Sequence, residues 1–327
     1  MSGVGLLRHD AHAAIAPGTV EPIRDEAPRA ARIGLALGGG AARGWAHIGV
    51  IRALDEAGIH PDVVSGCSIG AVVGGCYAAG RLDALAEFAL SLTRRRVLGL
   101  LDPRLSGAGL IGGDRLRRRL ARDLGDRRIE DLPVGFAAVA TELGTGREVW
   151  LSRGPLIEAL RASYALPGLF APVPLDGRLL MDGTLVNPVP VTLARAMGAD
   201  LVIGVNLSCD PRLRGGVIEP GTADPVEAVV AAAGARRRGV LAGLRGRAAA
   251  SPGMGRVMFE AFNITQDRIS RARLERDPPD LSIGPELAAL GQFAFHRAAE
   301  GIAAGHAAAR AALPRIRAMV LGAAARA

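Results

Sequence analysis

Three short stretches of the chain carry residue types that can do chemistry. The first is Gly66-Cys67-Ser68-Ile69-Gly70, a G-x-S-x-G set between Val63-Val64 and an uncharged run of small residues. A strand that turns sharply into a helix lifts a serine hydroxyl out of a sheet, and the bend closes only if Gly66 and Gly70 bring no side chain into it. At the helix N-terminus that follows, the dipole favours an oxyanion. The plain alternative for Ser68 is a helix cap, which serine does well. The second stretch is Gly38-Gly39-Gly40-Ala41-Ala42-Arg43-Gly44. Successive N–H groups of a glycine turn at a helix start converge on one point and can cradle an anion. A dinucleotide site would need G-x-G-x-x-G and an acidic residue closing the next strand. Here the spacing is G-x-G-x-x-x-G and the next strand ends in the serine bend, which argues against a nucleotide. The third stretch is Asp182-Gly183, at the end of a returning strand. A carboxylate there can approach the serine of another strand, although spacing alone does not separate it from a turn aspartate.

The elements that must position these residues follow from the hydrophobic pattern. Residues 33–37 (IGLAL) read as a buried strand and residues 45–57 as an amphipathic helix stopped by Gly58. With the next strand this is a βαβ unit, hence a right-handed crossover with parallel pairing, so the glycine turn and Ser68 face one crevice. Helices are expected over 82–92, 114–124 and 155–163, strands over 135–141 and 147–151, and a hairpin across Asp176-Gly177. Residues 93–113 read as an irregular loop, either a lid over the crevice or a surface excursion. Further on, a loop is expected at 208–224, helices at 225–247 and 256–274, a strand at 280–283 and a last helix at 293–312. Three histidines bear on catalysis or packing. His47 reads as a packed residue, His306 lies on the last helix facing away from His296, and His296 alone could complete a Ser–Asp–His order.

Composition bounds the rest. The formal charge of +8 comes entirely from arginine, with no lysine in 327 residues. The arginine-rich run from Asp114 to Asp123 reads as a solvated helix face, and a basic face of this kind could also favour an anionic membrane surface. Aromatic residues make up 3%, too few for a base-stacking platform, so no nucleic-acid partner is expected. Cys67, Cys76 and Cys209 have no metal-ligand spacing, so no metal, cofactor or disulfide framework is expected. The uncharged span 63–80 is long enough to cross a membrane, but its five glycines and its turn mark it as core. The resulting expectation is a cytoplasmic protein with peripheral membrane contact, a flexible tail at 1–30, a catalytic core at 31–207 and a mostly helical extension at 208–327 packing on the same domain.

Taken in order, GLALGGGAARGWAHIGVIRALDEAGI, GCSIG, RASYALPGLFAPV and MDGTLVNPVPVTLARAMGADLVIGVNL resemble the bacterial patatin-like phospholipases, nearest to proteins related to neuropathy target esterase. The resemblance covers about residues 33–207, with a weaker echo in DPPDLSIGP and the final helix. It implies a three-layer α/β/α sandwich with a mainly parallel sheet, and a serine hydrolase of lipid esters that needs no cofactor. By motif, Ser68 is the expected nucleophile, Asp182 its base, and Gly39 and Gly40 the oxyanion donors, with Gly66, Gly70 and Gly183 supporting the turns. Arg43 matches the basic residue of the glycine motif, as a head-group binder or a helix-surface residue. Ala41 stands where plant patatins have a third glycine, and Thr184 where the family has glycine or alanine after Asp-Gly. The other reading is a silent member of the same fold that binds a lipid or a protein.

Overall fold

The computed structural model describes residues 31–100, 102, 109–207 and 254–324. The expected tail at 1–30, the loop at 208–224 and the helix at 225–247 lie outside them. Strand β1 (Ile33–Leu37) is buried along its whole length between two parallel neighbours, β2 (Val63–Cys67) and β9 (Leu201–Val205). An all-apolar run suits a strand covered on both faces. Its side chains alternate: Leu35 and Leu37 join one core cluster, and Ala36 joins a second cluster with Val189, Val191 and Ala194. Helices α1 (Trp45–Glu56), α2 (Ile69–Ala78), α3 (Leu82–Leu90) and α6 (Leu156–Ser163) pack in the first cluster, and α7 (Val191–Ala196) in the second. This is the expected layering, with helices on both faces of one sheet.

The sheet continues with β10 (Leu281–Ile283) parallel to β9, and β4 (Gly135–Glu142) parallel to β2. Beyond β4 the pairing is antiparallel, through β5 (Glu148–Leu151), β8 (Arg178–Asp182) and β7 (Val173–Leu175). Register on β4 explains how distant residues meet. Ala138 pairs with Gly66 and with Leu151, so β2 and β5 flank opposite edges; Ala140 pairs with Val149 and with Asp182, so β8 shares the edge of β2. Strand β2 runs parallel to β4 and β8 antiparallel, so the two arrive C-terminus to C-terminus, Cys67 beside Val139 and Asp182 beside Ala140. Residues 68 and 182 therefore emerge at one point.

Two expectations are corrected here. Residues 93–113 are not wholly irregular: Arg94–Leu100 form a short helix, α4, and Gly109–Ile111 a strand, β3, paired with β6 (Gly168–Phe170). The sequence RRRVLGL of α4 has no apolar stripe, and none of its residues is buried, so its pattern gave no helical signal. The final helix starts later than expected and runs further, from Ala298 to Ala324, after a 3₁₀ turn at Phe295–Arg297. Helix α5 (Asp114–Leu124) stands as expected, and α8 spans Met254–Arg276.

The final helix, α9, crosses α1 at backbone distance. A Cβ at Gly305 would lie 1.9 Å from the Ala46 carbonyl oxygen, and one at Gly49 the same distance from that of Ile302. Gly305→Val is expected to destabilise the protein by about 3 kcal/mol, since neither backbone can yield without unpacking the pair. A lowered urea midpoint checks it; an unchanged midpoint would mean that the helices do not meet there.

Candidate active site

Ser68 sits at the junction of β2 and α2 with φ 54° and ψ −122°, a conformation that non-glycine residues rarely adopt. The bend is held from below. The Ser68 N–H donates to Ser163 Oγ at 2.9 Å, and the Ser163 hydroxyl donates in turn to the Val139 carbonyl at 2.7 Å. The supporting glycines act by close approach: added Cβ atoms at Gly66, Gly70 and Gly183 would fall 2.5 Å from Ala71 Cα, 2.2 Å from Leu37 O and 2.3 Å from Val139 O.

The Ser68 hydroxyl donates to Asp182 Oδ2 at 2.7 Å across 114 residues of sequence. The other carboxylate oxygen, Oδ1, accepts two bonds from one residue, the Thr184 N–H at 2.9 Å and the Thr184 hydroxyl at 2.7 Å. Thr141 Oγ1 donates to the Asp182 carbonyl at 2.8 Å, and the Asp182 N–H donates to Ala165 O at 2.9 Å. Asp182 is thus pinned at both its backbone and its side chain. Burial disfavours its charge and pushes its pKa up to about 6, against the opposing pull of the bonds from Ser68 and Thr184. Near neutral pH it is ionised but a far better base than an exposed aspartate. The β-branched Thr184 leaves the turn intact and adds a donor to the base.

The glycine turn differs from expectation by one residue. The Gly39 N–H is committed to the Pro188 carbonyl at 2.9 Å, and the Gly38 N–H to Val205 O at 3.0 Å. Gly40 and Ala41, which line the cavity beside Ser68, have N–H groups with no acceptor among the described residues. The amides open to an anion are therefore those of Gly40 and Ala41, and Ile69 at the start of α2 lines the same cavity. Gly39 lacks a side chain for a steric reason: its Cβ would fall 2.2 Å from the Thr184 methyl.

Arg43 is corrected too. It is buried, its Nε donates to Leu290 O at 3.0 Å, and it does not line the cavity, so it ties the glycine turn to the C-terminal segment instead of meeting a head group. His47 is packed as expected, with Nε2–H donating to Gly38 O at 2.7 Å; burial lowers its pKa to about 4 and keeps it neutral. His296 is a half-buried partner of Arg94 and His306 of Glu56, and both oxygens of Asp182 are already occupied, so among the described residues no histidine completes a triad. Ser163 and Thr141 are the positioning residues that sequence reasoning missed.

Above the pair opens a cavity of about 450 Å³. Its wall is almost wholly apolar, with Leu85, Phe88, Val97, Ile111, Leu120 and Phe170 among its residues, and Ser68 and Asp182 lie in it. Among the described residues no cluster is suited to hold a metal ion, and no helix is long and apolar enough to cross a membrane.

The profile of the family described as "Patatin-like phospholipase" matches residues 35–195. An "Uncharacterized NTE family protein" of Mycobacterium tuberculosis is 50% identical over 177 residues, covering 54% of this chain and 49% of that protein. The "Lysophospholipase nte1" of Emericella nidulans is 35% identical over 190 residues, and human "Patatin-like phospholipase domain-containing protein 6" 40% identical over 184. In those two the match covers 54% of this chain but 12% and 13% of the relative, so the chain spans about half the length of the mycobacterial protein and a small part of the others. Residues 35–195 of this chain thus form a patatin-like phospholipase domain.

Proposed function

We propose that the protein is a serine acyl hydrolase that cleaves fatty-acyl ester bonds of lipids, in the manner of a phospholipase A or lysophospholipase. The observation that carries this reading is the 2.7 Å bond from Ser68 Oγ to Asp182 Oδ2 on the floor of an apolar cavity. Ser68 Oγ attacks the ester carbonyl as its proton passes to Asp182, and the N–H groups of Gly40, Ala41 and Ile69 receive the negative charge that develops on the carbonyl oxygen. The tetrahedral adduct collapses, Asp182 returns the proton to the departing alcohol, and Ser68 is left acylated. Water then attacks with Asp182 again as base, releasing the fatty acid and the free serine. The acyl chain lies along the apolar wall. Two polar wall groups, Tyr164 Oη and Asn263 Oδ1, have no hydrogen-bond partner among the described residues and are available to the polar part of the ester.

Incubation with a fluorophosphonate is the direct test. The expected result is a single covalent adduct on Ser68, located by mass spectrometry of the digested protein. A silent lipid-binding protein of the same fold would give none.

The pH profile follows from Asp182. The reaction needs the carboxylate, so kcat/KM is expected to rise with pH up to about 6 and then level. Thr184→Ala removes a bond to the ionised form, which raises the pKa and moves this limb to higher pH. A limb that stays in place in that variant would belong to another group.

A further inference from the structure

The cavity containing Ser68 is walled on one side by two arginine-rich helices whose outer surfaces the hydrolytic reading does not use. Val97, Leu98 and Leu100 of α4 and Leu116 and Leu120 of α5 line it. Helix α4 nevertheless has no buried residue, and Leu98 is 66% exposed, so one side chain both borders the cavity and faces solvent. Phe293, also on the cavity wall, is 52% exposed. Large apolar side chains standing in water around the mouth of an apolar cavity call for a cover.

The charges around that mouth indicate its chemistry. Arg94, Arg95 and Arg96 are exposed at the start of α4. On α5, Arg115, Arg118 and Arg122 are exposed at spacings of three and four, which places them on one helix face. The Arg115 guanidinium donates to Gly99 O at 2.6 Å, which joins the two arginine groups at one rim. Helix α5 sorts its arginines. Arg117 pairs with Glu158 and Arg119 with Asp123, whereas none of the six rim arginines has a carboxylate partner among the described residues. The one exposed acid on these two helices is Asp114. A row of uncompensated guanidinium groups beside leucine and phenylalanine tips matches the surface of a membrane with anionic head groups: the charges meet phosphates and the apolar tips enter the acyl boundary.

We propose that α4, the outer face of α5 and Phe293 form a docking face for an anionic phospholipid bilayer, set so that an acyl chain can pass from the membrane into the Ser68 cavity. Passage of the acyl chain rests on the hydrolase reading; docking does not. Flotation with the full chain carrying Ser68→Ala, which leaves the lipids intact, tests it on phosphatidylcholine vesicles with and without about one third phosphatidylglycerol. Binding is expected to be at least about tenfold stronger to the anionic vesicles and to weaken in high salt. Arg95→Glu/Arg118→Glu, at two exposed rim positions that do not line the cavity, is expected to abolish that preference while leaving hydrolysis of a short soluble ester unchanged in the otherwise native chain. Leu98→Ser is expected to weaken binding several-fold. Equal binding to both vesicle types, or an anionic preference that survives Arg95→Glu/Arg118→Glu, would overturn the proposal. So would a face that binds a second copy instead, seen as a dimer by light scattering that the same variant dissociates. A chain that docks but hydrolyses nothing would refute the hydrolase reading alone.

Discussion

Asp182→Asn is expected to lower the turnover of a p-nitrophenyl ester by on the order of 10⁴-fold, and Ser68→Ala by at least as much. The asparagine is nearly isosteric and can keep the local bonds. Its Oδ1 accepts from the Thr184 N–H and hydroxyl as the carboxylate does, and its amide nitrogen faces Ser68 Oγ in place of Oδ2. What it cannot do is take a proton from Ser68. Among the described residues no histidine stands ready to replace it, since His47 is bound to Gly38 O and held neutral, and His296 is bound to Arg94. Steady-state kinetics with near-UV circular dichroism checks both halves of the expectation. Full turnover by a folded Asp182→Asn would transfer the base role to another group.

The same substitution should make the protein more stable. Burial raises the Asp182 pKa from 3.8 to about 6 in the folded chain, so the native state holds this proton more tightly than the unfolded state. Between these values the native state binds more protons, and stability is lost as pH rises through that window. Above about 6 the full cost of the buried charge is present, about 3 kcal/mol for a shift of two units. The asparagine side chain carries no charge at any pH. The melting temperature of Asp182→Asn should therefore exceed that of the native protein near pH 7, with the difference closing as the pH falls toward about 4. An active site that weakens its own fold is the expected consequence of placing a base where water cannot solvate it.

How much of this is legible in the sequence depends on the range of the contacts. Strand β1, the glycine turn and the Ser68 bend are readable because each is set by neighbours a few residues away. The hairpin across Asp176-Gly177 is readable for the same reason, and Asp176 does take a positive φ of 48°. The encounter of Ser68 with Asp182 is not readable from spacing, because it depends on β2 and β8 sharing one edge of β4, and only the resemblance to a family points to it. Of the two glycines expected to offer an amide to an oxyanion, Gly40 keeps its N–H open and Gly39 does not, because its amide is taken by Pro188 from a remote turn. Arg43 misleads for a similar reason, its acceptor Leu290 lying 247 residues away. Ser163 looks like the end of a helix, and nothing around it signals that its hydroxyl supports the nucleophile.

Gly39→Ala is expected to reduce turnover by about 10²-fold, the scale of an ångström-sized misplacement of a catalytic group. The reason is a single contact. An added Cβ would sit 2.2 Å from the Thr184 methyl, while its next neighbours, Ser68 Cβ at 3.5 Å and Thr184 Cβ at 3.6 Å, are at ordinary distances. Gly39 is not among the residues with positive φ, so alanine meets no backbone strain there. Thr184 must retreat from the new methyl, and because it holds Asp182 Oδ1 through both its N–H and its hydroxyl, the carboxylate is displaced with it. Thr184→Ser deletes the offending methyl and keeps both donors, so alone it should stay within a few-fold of the native rate. Combined with Gly39→Ala, it should recover most of the lost activity, giving a strongly non-additive cycle of the kind contacting residues show. A double variant as poor as Gly39→Ala alone would mean that glycine is required for something other than room beside Thr184, and the link from the glycine turn through Thr184 to the base would fail.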